Sequence, residues 1–121
     1  MNDDVDSSHP VLYKGHSFRL AETDEFHLWL GSLADRRANA RIVDRLKRAS
    51  NGNFGDVKPA GSGVSEMRID YGPGYRVYFF RRRKELVILL CGGDKKTQKA
   101  DIATAIRMKG EIERRDRDKA V

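Results

Sequence analysis

The chain has 121 residues, 39% of them apolar and 35% charged, with a formal net charge of +6; that is material for one small core, not two. The positive surplus points to a polyanion or an acidic protein as partner, and the single cysteine, Cys91, excludes an internal disulfide and a cysteine-based zinc site. No apolar run approaches the roughly 20 residues of a membrane-spanning helix, and the N-terminus lacks the basic-then-apolar order of a signal peptide, so a cytoplasmic protein without membrane contact is expected.

Residues 1–15, MNDDVDSSHPVLYKG, hold three aspartates, Pro10 and Gly15 without periodicity, and read as a flexible extension ahead of one domain spanning 16–107. The stretch HSFRLAE supplies a short strand with Phe18 and Leu20 on one face. Thr23 can cap a helix with Asp24 and Glu25 in its first turn, an apolar stripe of Phe26, Trp29, Leu30 and Leu33, and Gly31 at its end. Ser32 and Asp35 have capping-box spacing for a second helix, whose stripe is Ala38, Ile42, Leu46 and Ala49. The two helices are expected to pack as an antiparallel hairpin. The second carries Arg36, Arg37, Arg41, Arg45, Lys47 and Arg48 against Asp35 and Asp44; this is either a solvated face or a contact surface for nucleic-acid backbone through Arg41, Arg45 and Arg48.

From residue 53 the period becomes two, and VSEMRID (64–70), YRVYFFR (75–81) and ELVILLC (85–91) form an antiparallel meander. The last strand is apolar on both faces and belongs at the centre of the sheet. After GGD the helical period returns at Ile102, Ala105 and Ile106, then gives way to a charged tail, 108–121, read as a frayed helix or one ordered by a partner.

Strand register follows from keeping apolar side chains on one face: Met67 opposes Val77 and Ile69 opposes Tyr75, which sets Arg68 opposite Arg76 on the other face. Facing like charges are destabilising, so either an anion sits between the arginines or Glu66, Asp70 or solvent neutralises each. Lys58, Lys95, Lys96 and Lys99 flank the same sheet, the cation density that holds a phosphodiester and stabilises charge developing on it. A P-loop is a poorer account of GGDKKTQ, because that motif needs GxxxxGK[ST] after a parallel strand. His9, His16 and His27 lack metal-ligand spacing, and no metal or cofactor is expected. Crowded cations depress one another's pKa, which makes lysine a usable acid or base here. Tyr78 shares the arginine face and could stack on a base, whereas Cys91 reads as a small buried hydrophobe.

The stretches NFGDVKPAGSGVSEMRIDYGPGYRVYFF and LVILLCGGDKKTQKADIATA resemble the addiction-module killer proteins, a branch of the RelE/ParE toxin superfamily related to HigB-like and phage-derived toxins, with likeness over about residues 17–107. The resemblance implies an α+β, RelE-like fold: an antiparallel twisted sheet packed against an N-terminal two-helix hairpin, with a C-terminal helix. It implies a metal-independent, ribosome-dependent endoribonuclease that cuts mRNA by attack of the ribose 2′-hydroxyl, silenced by a cognate antitoxin of the small helix-turn-helix kind. Arg76 matches the family arginine that stabilises the scissile phosphate, Arg68 a basic residue on the neighbouring strand, and Lys95 the basic residue after the final strand. Glu66 stands where the family has a second strand lysine, and Asp101 where it has a tyrosine, so the acid and base roles fall to Lys58, Lys95 or Glu66, or cleavage is inefficient. Gln98 and Asp101 would then hold the loop. The alternatives are a ParE-like DNA gyrase inhibitor without nuclease activity and a non-catalytic ribosome- or RNA-binding protein.

Overall fold

The computed structural model describes residues 10–120. The first nine residues of the expected extension lie outside them. Six strands, β1 (Val11–Lys14), β2 (Arg19–Glu22), β3 (Val57–Gly61), β4 (Val64–Ile69), β5 (Tyr75–Arg83) and β6 (Leu86–Gly93), form one sheet in the order β1-β2-β6-β5-β4-β3. Three helices, α1 (Asp24–Ser32), α2 (Arg36–Ser50) and α3 (Gln98–Ala120), complete an α+β fold.

Three expectations are corrected at this level. The sheet is not wholly antiparallel, because β2 runs parallel to β6, pairing Arg19 to Glu22 with Leu86 to Leu89. The helices do not come first: residues 11–14, read as part of the loose extension, pair with β2 as the edge strand β1. Nor do α1 and α2 pack chiefly on each other; α1 lies over β6, while α2 covers β1, β2 and β4.

The helix boundaries follow their caps. Thr23 Oγ1 accepts from the Phe26 amide and donates to the Leu90 carbonyl at 2.6 Å, so one hydroxyl starts α1 and ties it to the sheet. Asp35 caps α2 by accepting from the Arg37 and Ala38 amides, whereas Ser32 Oγ turns back to the Trp29 carbonyl.

β6 is central and covered on both faces, as its apolar run requires. Val87 and Leu89 face a core with Phe26, Ile42 and Leu46 of α1 and α2. Ile88 and Leu90 face a second core with Tyr78, Phe80, Ala105, Met108 and Ile112. The charged tail is therefore not frayed at its start: α3 continues to Ala120, buries Met108 and Ile112, and pairs Asp116 with Arg82 of β5.

Candidate nucleic-acid cleft

The β4–β5 register is the expected one, with Met67 opposite Val77, Ile69 opposite Tyr75 and Arg68 opposite Arg76. β5 continues the row onto β6, where Arg76 stands beside Gly93. The next row runs Lys58, Glu66, Tyr78, Cys91 from β3 to β6. Alternation along each strand thus sets the arginines beside the row that carries Glu66 and Tyr78.

The two arginines tolerate each other because each has a carboxylate of its own. Arg68 grips Asp56 with two hydrogen bonds, Nε at 3.2 Å and Nη2 at 2.9 Å, the forked geometry of a carboxylate–guanidinium pair. The hydrogen bond from Arg68 holds the Asp56 carboxyl below the usual carboxylate range. Arg76 Nε lies 3.4 Å from Glu66 Oε2, with side chains only 11% and 5% exposed, while Nη1 donates to the Gly74 carbonyl at 2.7 Å. Glu66 also accepts from the Tyr78 hydroxyl at 3.0 Å and from Gln98 Nε2 at 2.7 Å.

Arg68, Arg76 and Lys95 line one open cleft of about 290 Å³ together with Asp56, Ile69, Asp70 and Gly74. Gly74, at φ +81°, lets Arg76 and Lys95 approach: a Cβ there would stand 3.1 Å from Arg76 Nη1 and 3.6 Å from Lys95 Cβ. Three of the sequence-nominated residues thus converge. Lys58 does not line this cleft; it is exposed and pairs with Glu66 across the β3–β4 ladder. Lys96 and Lys99 are exposed on the turn and first helical turn that follow Lys95, where the Lys96 amide donates to Asp94.

A second cleft, of about 240 Å³, shares Ile69 and Asp70 with the first and is lined by Arg41, Asp44, Arg45 and Arg48. Arg45 is committed to backbone, donating to the carbonyls of Arg68 at 2.6 Å and Phe54 at 3.0 Å. Arg48 pairs with Asp44 on its own helix, and Arg41 stacks 4.6 Å above the Tyr71 ring. Tyr78 departs from expectation: it is fully buried and offers no face to a base. Burial first, then the Glu66 hydrogen bond, push its phenol pKa up, so it stays a neutral donor.

The GGDKKTQ turn is built for packing. Asp94 caps the 3-10 turn Lys95–Thr97 and Thr97 returns a bond to the Asp94 amide. Asp101 accepts from Thr97 Oγ1, and Gln98 reaches Glu66, so both hold the loop. Asp56 was not singled out by sequence. Its signal was the register itself, since Lys58 opposite Glu66 carries Asp56 toward Arg68.

Among the described residues no helix is long and apolar enough to cross a membrane. The family described as Phage derived protein Gp49-like (DUF891) matches residues 29–109. A Haemophilus influenzae protein, described as uncharacterized, is 49% identical over 89 residues, covering 74% of this chain and 90% of that protein. No solved structure gives a significant match.

Proposed function

The chain belongs to the phage-derived Gp49-like protein family, and from that premise together with the cleft we propose that it is the toxin of a type II toxin–antitoxin pair, a ribosome-dependent mRNA endoribonuclease. The observation that carries this reading is the convergence of Arg68, Arg76 and Lys95 on one open cleft. In the proposed reaction the ribose 2′-oxygen attacks the adjoining phosphorus and the bond to the 5′-oxygen breaks, leaving a 2′,3′-cyclic phosphate and a 5′-hydroxyl. Negative charge grows on the phosphoryl oxygens and on the leaving oxygen, and preorganised cations there lower the barrier.

The two arginines divide the work by burial. Freeing Arg76 from Glu66 would strand a buried carboxylate, a cost of about 3–5 kcal/mol, so Arg76 stays fixed and presents its remaining edge to the phosphate. The Arg68–Asp56 pair is open to solvent, with side chains 32% and 55% exposed, and yields to a phosphate at little cost. Asp56, held ionised by Arg68, is a poor proton acceptor. Asp70, exposed in the same cleft, takes the 2′-hydroxyl proton, and the Lys95 ammonium protonates the leaving 5′-oxygen. Glu66 is occupied by two hydrogen-bond donors and by its ion pair with Arg76, and acts through Arg76 rather than on substrate. Arg41 and Arg48, in the adjoining cleft, contact neighbouring phosphates. A cleft this open does not by itself hold a message in register; the decoding site supplies that constraint, and an antitoxin segment covers Arg68 and Arg76 in the silenced complex.

Primer extension on a translated message tests the reading. The wild type should give ribosome-dependent, codon-phased cuts, and Arg76→Ala should lower them about 10²–10³-fold, the usual effect of removing one preorganised donor from a charge-stabilising site. Intact message accompanied by DNA breaks and SOS induction would instead favour gyrase poisoning.

A further inference from the structure

Glu66 is an acidic side chain at 4% exposure on a face otherwise closed by the apolar α3 core. An apolar residue of similar volume would fill the place without the desolvation that a carboxylate suffers. Its carboxylate, however, meets two hydrogen-bond donors and one cation from two elements: Oε2 takes the Tyr78 hydroxyl at 3.0 Å and Gln98 Nε2 at 2.7 Å, and stands 3.4 Å from Arg76 Nε. Arg76 Nε is buried and has no hydrogen-bond partner of its own. The Glu66 charge and the Gly74 carbonyl, 2.7 Å from Nη1, are thus what fix the guanidinium plane at the wall of the cleft. Gln98 is the first residue of α3, directly after the turn that carries Lys95. One carboxylate therefore joins the strand that presents Arg76 to the turn that presents Lys95.

We propose that Glu66 is the positioning residue of the cleft, setting Arg76 directly and the Lys95 turn through Gln98, so that the two cations approach a phosphate as one unit. The proposal rests on the nuclease reading for its kinetic test but not for its spectroscopic one. Glu66→Gln keeps an oxygen for Tyr78 and Gln98 and removes the charge that faces Arg76. Cleavage should fall about tenfold in kcat with KM unchanged, and the same substitution should add nothing in an Arg76→Ala background, as for two residues acting through one interaction. Likewise Gln98→Ala should weaken cleavage in the wild type and not in Lys95→Ala. A merely structural role would instead multiply through both backgrounds, and that result overturns the proposal.

The independent readout is the Arg76 Nε–Hε resonance in a nitrogen–proton correlation spectrum, assigned by its loss in Arg76→Lys. It should be sharp in the wild type and exchange-broadened in Glu66→Gln. An unchanged resonance overturns the proposal even if the protein cleaves no RNA; a broadened one in a protein without cleavage refutes the nuclease reading and keeps the positioning role. Should Glu66→Gln fail to fold, the Gln98→Ala and Lys95→Ala pair decides for a cleaving protein, and the broadening of the Arg76 resonance by Gln98→Ala decides otherwise.

Discussion

Gly92 and Gly93 adjoin on β6 and face opposite sides of the sheet. A Cβ on Gly92 would stand 2.3 Å from the Trp29 ring, and one on Gly93 would stand 1.8 Å from Asp101 Oδ2. Trp29 is itself wedged between Phe26 and Tyr75, with ring centroids 5.7 and 6.4 Å away, so it has little room to yield. Gly92→Ala should therefore cost about 1–3 kcal/mol through overpacking, read as a lower urea midpoint at unchanged slope. Gly93→Ala should displace Asp101 from Thr97 and loosen the Lys95 turn; on the proposed nuclease function, cleavage should then fall by more than the loss of stability explains. At this scale the sequence was partly legible. Alternation alone fixed Arg68 opposite Arg76, and the doubled glycine was visible, but what presses on each glycine depends on α1 and α3, which periodicity cannot position. Tyr78 was misread for the same reason: its strand face was correct, and only the packing of α3 shows that this part of the face is closed.

Among the elements, α3 was legible for its first turns and hidden thereafter. Ile102, Ala105 and Ile106 announced a helix, but the continuation at Met108 and Ile112 sits among charges, because a helix lying on a sheet buries only a narrow stripe. Met108 and Ile112 are 6% and 3% exposed. Ile112→Ala should cost about 2–5 kcal/mol, the range for truncating a buried aliphatic side chain, measured by thermal or urea unfolding. Ending the chain after Arg107 should do worse, since it removes the cover from Phe80 and Ile88. Strand β3 was hidden because Pro59 and Gly61 read as punctuation; proline is tolerated there because β3 is an edge strand. Missing β3 concealed Asp56, and with it the partner of Arg68. The parallel β2–β6 pair has no local signal at all.

At the scale of the whole molecule, charge sets how the protein responds to its medium. If the cleft binds single-stranded RNA through Arg68, Arg76 and Lys95, the slope of log K against log salt should be about −2, roughly −0.7 per phosphate neutralised. Anisotropy titrations of a 2′-deoxy-blocked oligonucleotide would measure it, and Arg41→Ala with Arg48→Ala should flatten a steeper slope if α2 also contacts phosphate. Stability should fall at both pH extremes. Asp35 and Asp56 have carboxyls held low, by backbone amides and by Arg68 respectively, so their contribution is present near neutrality and is lost as the pH drops below about 4. Burial pushes the Cys91 thiol up to about 12, so the native state keeps its proton and loses ground as the pH climbs from about 9 toward that value. The parallel pairing of β2 with β6 has a further consequence, in time rather than in space. Thr23 bonds to Leu90, 67 residues later, so the β1–β2 pair must wait for β6 to leave the ribosome before it can join the rest of the sheet. Lys95 and Gln98 emerge later still. A ribosome making this protein completes the cleft only after Lys95 and Gln98 have emerged, and a chain released before β6 and these residues carries neither a closed sheet nor a finished site.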